Sequence, residues 1–125
     1  METRHWGKED FMPFINSKIS VKLTPEKEEA IKKRLGAAIT AIPGKSENWL
    51  MLGFEDEYNL YFKGQKWDKC AFVDVKVFGG ASSEVYNKMT AEICKIFGEE
   101  LSIPADKIYV AYQGTPDWGW NGGNL

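Results

Sequence analysis

A single histidine, His5, stands in this chain of 125 residues, and it lies in the N-terminal segment. The body of the chain therefore has no imidazole. Ser-His-Asp and Cys-His catalysis are excluded there, as are zinc sites built on histidine. Acid–base work must fall to carboxylates, lysine, tyrosine, cysteine or a terminal amine. Cys70 and Cys94 are too few for a disulfide scaffold. One bridge or two free thiols are the alternatives, and buried free thiols are favoured in a reducing cytosol. Gly79-Gly80 lacks the Lys-Ser/Thr that completes a phosphate loop and reads as punctuation between a strand and a helix. The run Lys32-Lys33-Arg34 reads as the solvated face of a helix. No metal site and no cofactor are expected.

Composition narrows the field further. Hydrophobic residues make up 43% and charged residues 27%, which excludes disorder and collagen-like structure. The net charge of -2 gives no general attraction to phosphate, so nucleic acid is an unpromising partner. The length fits one domain with a real core. No apolar run approaches the roughly 18 residues that would span a bilayer. The opening METRHWGKEDF is polar and has no apolar stretch of the kind a secretory signal needs. A cytoplasmic location is expected, compatible with release by a leaderless route.

The elements that must position any chemistry follow from periodicity. Residues 1–12 have no clear period and read as an extension: an expression leader, an upstream start or a native arm. Residues 13–21 alternate, with Ile15, Ser17 and Ile19 on one face and Phe14, Asn16 and Lys18 on the other, so they form a strand. Thr24-Pro25 opens a helix, with glutamates at its positive end. Ile31, Leu35, Ala38, Ile39 and Ile42 continue it as an amphipathic stripe until Pro43-Gly44. Residues 48–54 form an apolar strand, and 56–65 a short connecting strand centred on Leu60, Tyr61 and Phe62. Residues 71–78 alternate again. Ser82 or Ser83 caps a second helix striped by Val85, Met89, Ile93, Ile96 and Phe97. Pro104-Ala105-Asp106 turns the chain into a last strand over 107–112, and a Gly- and Asn-rich tail with two tryptophans follows.

A shift of 58 residues overlays the two halves without a gap. Phe14 falls on Phe72, Lys18 on Lys76 and Glu26 on Glu84. This implies an internal duplication of a right-handed βαβ unit about a pseudo-twofold. The expected fold is α+β: one four-stranded sheet with both helices on one face. The other face is left for other subunits to bury.

Residues 13–125 resemble the macrophage migration inhibitory factor family of the tautomerase superfamily. The resemblance rests on the Met-Pro-Phe-Ile start, Gly44-Lys45, Phe62 with Gly64, and Lys69-Cys70-Ala71. It continues through Val77-Phe78-Gly79, Pro104 to Val110, and Trp118-Gly119-Trp120-Asn121-Gly122. It implies a homotrimer whose sheets line a central barrel. It also implies cofactor-free keto–enol tautomerisation of α-keto acids such as phenylpyruvate, with an N-terminal proline as base. Pro13 is the matching residue. A terminal proline is a secondary amine, and both partial burial and a nearby ammonium lower its pKa toward neutrality. Lys45 matches the family's active-site lysine and would hold the substrate carboxylate. The Phe78 N–H matches a substrate contact. Phe14, Trp49, Tyr109, Trp118, Trp120 and Leu125 fall on or near pocket positions, with Tyr109 supplied by the adjacent subunit. The alternative implied is a cytokine-like protein that engages a host receptor without significant catalysis.

Three departures matter. Pro13 follows Met12 in a peptide bond, where its nitrogen has no usable lone pair, so the extended chain is expected to be inactive. Ala111 stands where the best-known member has asparagine. Val73 interrupts that member's Cys-x-x-Cys, which removes any basis for thioredoxin-like redox chemistry. Purely structural roles are also open: Pro13 beginning an edge strand, Lys45 at a helix C-terminus, Trp118 and Trp120 anchoring the tail.

Overall fold

A computed structural model describes residues 12–125. The extension, apart from Met12, lies outside the described residues. The order is β1 (Pro13–Ile19), α1 (Pro25–Ala38), β2 (Met51–Glu55), β3 (Tyr61–Phe62), β4 (Gln65–Lys66), β5 (Ala71–Phe78), α2 (Ser83–Leu101), β6 (Ile108–Thr115), β7 (Gly119–Trp120) and β8 (Gly123–Asn124). The main sheet runs β2-β1-β5-β6. β1 is parallel to β2, β5 is parallel to β6, and β1 is antiparallel to β5. This is the arrangement expected of two βαβ units related by a pseudo-twofold. β1 and β5, and α1 and α2, begin 58 residues apart.

Local chemistry sets the helix ends. The Thr24 hydroxyl accepts the Lys27 N–H at 3.1 Å, with Pro25 in the first turn. Ser82, not Ser83, caps α2, accepting the Val85 N–H at 3.2 Å. The helices are tied together by Arg34, which reaches Glu99 at 2.7 Å and Glu100 at 3.1 Å. None of the described helices is long and apolar enough to cross a membrane.

The core lies between the helices and one sheet face. Ile31, Leu35 and Ile39 on one side and Met89, Ile93, Ile96 and Phe97 on the other pack on Ile15, Ile19, Val73, Val75 and Val77. Ser17 faces the same core, and its hydroxyl has no hydrogen-bond partner among the described residues. The opposite face is uncovered, as expected, but its middle is charged. Asn16 donates to Glu55 at 2.9 Å, Lys76 pairs with Asp74 at 2.9 Å, and Lys18 lies 3.7 Å from Glu55.

Several boundaries differ from the sequence expectation. α1 ends at Ala38, and a 3-10 turn over Ile39–Ala41 carries the stripe onward to a buried Ile42. The apolar run 48–54 is not all strand: Glu47–Trp49 is a 3-10 turn and β2 begins at Met51. Periodicity cannot separate these states in a short apolar run. The connecting segment is a hairpin of β3 and β4. Pro13 does not begin an edge strand, since β1 lies between β2 and β5. As the first strand residue it withholds an N–H at the ladder's end only. Cys70 and Cys94 are free, Cys70 buried and Cys94 half-buried.

Candidate active site

Pro13 heads β1, is buried, and stands opposite Val77 of β5. One step beyond that pair, the Met12 carbonyl accepts the Phe78 N–H at 3.1 Å. Met12 is only 4% exposed. Met12 therefore continues the ladder instead of turning away from it. The second half repeats the contact: Ser20 N–H donates to the Cys70 carbonyl at 3.0 Å, and the 58-residue shift carries Met12 onto Cys70 and Ser20 onto Phe78.

Lys45 reaches the same place from the other side. After the 3-10 turn, Gly44 takes φ 82°, a left-handed conformation in which glycine meets no side-chain clash. The Lys45 N–H returns to the Ile42 carbonyl at 3.0 Å, and its side chain runs inward. It is 4% exposed, and its ammonium donates to the Phe78 carbonyl at 3.5 Å. Burial disfavours the charged form and lowers its pKa to about 8. Phe78 thus offers both faces of its backbone to the site, the N–H toward Met12 and the C=O toward Lys45.

Beside them opens a cleft of about 360 Å³, lined by Met12, Pro13, Phe14, Asn48, Trp49, Leu50, Met51, Trp118, Gly119 and Trp120. Trp49 and Trp120 meet edge to face, with centroids 5.2 Å apart at 87°. Trp118 lies 6.5 Å from Phe78. The tail is folded onto the cleft by the β7–β8 hairpin and by the Leu125 N–H, which donates to the Trp118 carbonyl at 2.9 Å. A buried cation, backbone donors and an indole-walled cleft suit a flat apolar carboxylate.

Of the residues expected from the sequence, Pro13, Phe14, Trp49, Trp118 and Trp120 share this cleft, and Lys45 and Phe78 adjoin it. Leu125 does not line it and acts through the backbone of Trp118. Tyr109 is elsewhere: it is 58% exposed and packs edge-on against Phe62 at 5.4 Å. It borders a smaller cavity of about 110 Å³ with Cys70, Ala71, Phe72 and Lys107. The 58-residue shift maps that cavity onto the cleft, with Cys70 for Met12, Ala71 for Pro13, Lys107 for Trp49 and Tyr109 for Met51. The sequence reading missed Met12, Asn48, Leu50, Met51 and Gly119 as lining residues. The repeat carried the signal for Met51, because Tyr109 is its counterpart.

The family model for macrophage migration inhibitory factor matches residues 12–125. Leishmania major MIF2 superposes with a TM-score of 0.84 at 32% identity, covering 91% of this chain and 97% of that one. The macrophage migration inhibitory factor of Toxoplasma gondii superposes at 0.81 and 23% identity, covering 90% and 99%. The macrophage migration inhibitory factor-like protein of Entamoeba histolytica gives 0.81 and 19%, covering 91% and 99%. Among curated proteins none matches the chain. The paired βαβ units are thus the tautomerase-superfamily arrangement. Within that superfamily, the chain belongs to the macrophage migration inhibitory factor family.

Proposed function

We propose that this chain is a keto–enol tautomerase of aromatic α-keto acids, with Pro13 as base once the bond to Met12 is gone. One observation carries the reading: the Met12 carbonyl, whose carbon is bonded to the Pro13 nitrogen, accepts the Phe78 N–H. An acceptor oxygen held by that N–H therefore sits beside the base. A substrate oxygen would take the place that the Met12 oxygen holds.

Freed, Pro13 is a secondary amine whose burial and neighbouring Lys45 ammonium both lower its pKa. It takes a proton from the carbon beside the keto group. The C–H electron pair becomes the new C=C bond, and the carbonyl pair moves onto oxygen. The prolinium then returns its proton to that oxygen, giving the enol. Lys45 neutralises the substrate carboxylate and offsets the developing enolate charge, and the Phe78 N–H donates to a carboxylate oxygen of the substrate. The cleft between Trp49 and Trp120 takes the aromatic ring.

In this reading three chains assemble through their uncovered sheet faces, and Tyr109 of one completes the cleft of the next. The exposure of Tyr109 and its distance from its own cleft support this. The acylated Pro13 favours the receptor-binding alternative for any form that keeps Met12.

The test pairs intact mass with phenylpyruvate tautomerisation, for the full chain and for one begun at Met12. The core described above lies wholly between Ile15 and Ile108, so the shorter chain keeps it. The expected result is turnover by the form beginning at Pro13 and silence from the form beginning at Met1. Turnover by the Met1 form would remove proline as the base. Silence from the Pro13 form would overturn the enzymatic reading and leave receptor binding.

A further inference from the structure

Phe78 is followed by two glycines, both left-handed, with φ 85° at Gly79 and 86° at Gly80. Such a pair has wide conformational freedom when nothing restrains it. The two backbone groups that Phe78 offers to the site are only as well aimed as this turn is fixed. Three contacts fix it. The Gly79 N–H donates to the Thr115 carbonyl at 2.9 Å. Gly80 lies against Gly114 of β6, so closely that a Cβ on Gly114 would stand 2.8 Å from the Gly80 Cα. The Ala81 N–H donates to the Tyr86 hydroxyl at 2.8 Å.

The third contact comes from a side chain that is itself held. Tyr86 lies in the first turns of α2, and its ring stacks on Tyr112 of β6, centroids 4.3 Å apart at 16°. The Tyr112 hydroxyl is tied to Thr90 at 2.8 Å. Tyr86 is thus oriented by β6 and reaches back across the turn that leaves β5.

We propose that Tyr86 is a positioning residue of the site: its hydroxyl holds the Gly79–Gly80 turn and, through it, the direction of the Phe78 N–H and C=O. Tyr86 itself lies outside the cleft. Its catalytic meaning rests on the tautomerase reading, while its hold on the turn does not. The contacts of Phe78 serve substrate binding before and during the reaction alike, so their loss falls on KM more than on kcat.

The test is Tyr86→Phe, which keeps the stacked ring and removes the hydroxyl, beside Thr90→Val, which removes the neighbouring hydroxyl tie and does not touch the turn. In the full chain, amide exchange at Ala81, Gly79 and Phe78 is expected to quicken about three- to tenfold in Tyr86→Phe, with the core amides of Val75 and Ile93 unchanged. In the chain beginning at Pro13, KM for phenylpyruvate is expected to rise about three- to tenfold, with kcat changed less. Thr90→Val, which leaves the Tyr86–Tyr112 stack and the Ala81–Tyr86 bond in place, is expected to move both readouts by less than Tyr86→Phe. Unchanged exchange at Gly79 and Phe78 in Tyr86→Phe would overturn the proposal, as would an equal KM rise in Thr90→Val. If the parent Pro13 chain is silent, the tautomerase reading falls, and the exchange comparison alone then upholds or overturns the hold of Tyr86 on Phe78.

Discussion

The carbonyl of Met12 accepts the N–H of Phe78 at 3.1 Å, one step past the Pro13–Val77 pair that begins the β1–β5 ladder. In the proposed mechanism, the residue that must leave for Pro13 to act is also the residue whose carbonyl takes the adjoining donor. One bond cleavage therefore does two things: it creates a secondary amine and it vacates an N–H aimed beside it.

In a chain beginning at Pro13, Pro13→Gly exchanges the ring-held secondary amine for a less basic primary one that is free to rotate. It is predicted to lower kcat at least about a hundredfold, with KM nearly unchanged. Steady-state kinetics on phenylpyruvate check this. An unchanged kcat would show that the pyrrolidine nitrogen is not required for the proton transfer.

Lys45 should set the alkaline limit. With its pKa lowered to about 8 by burial, it loses its proton above that pH, and the substrate carboxylate loses its cation. KM is predicted to rise as pH climbs through about 8, and Lys45→Met should raise KM at neutral pH and abolish that dependence. The same shift affects stability. Between about 8 and the ordinary lysine value of 10.5, the unfolded chain binds more protons at this residue than the folded one. The contribution of Lys45 to stability therefore rises with pH across that window. Urea titrations at pH 7.5 and 10 of the wild type and Lys45→Met isolate it.

The Trp49–Trp120 contact predicts a size preference. Trp120→Ala removes the edge-to-face partner, worth about 1 kcal/mol, and opens one wall of the cleft. KM for phenylpyruvate should rise several-fold, while a small aliphatic α-keto acid should be little affected. Comparing the two substrates checks this directly.

Two substitutions away from the cleft test the fold. Gly114→Ala drives a Cβ to within 2.8 Å of the Gly80 Cα, a backbone atom that cannot rotate aside, and should cost about 2 kcal/mol. Ser17→Ala removes a buried hydroxyl that has no partner among the described residues and should stabilise the protein by about 1 kcal/mol. Denaturant midpoints measure both.

Much of this was legible in the residues. Strict alternation in β1 and β5 gave their faces, because a half-buried strand writes its burial at period two. The repeat gave the pairing of the two βαβ units. Trp49 reads as strand in the sequence but lies in a 3-10 turn, because a short apolar run looks the same in both states. The cleft needed three dimensions, since Met12, Trp49 and Trp118 converge from separate stretches of chain. Tyr86 escaped notice because a tyrosine at a helix start carries no mark of the turn it fastens.

The repeat bears on ancestry. If one βαβ half was copied and joined to its twin, the junction gave the pair two matching hollows but a single beginning. A secondary amine exists only where a chain starts with proline. The hollow at Ala71 was thus denied a proline base by the join itself, and Ala71 and Lys107 were released to change. In the proposed mechanism one half supplies the base, and the other lends Tyr109 to a neighbouring cleft.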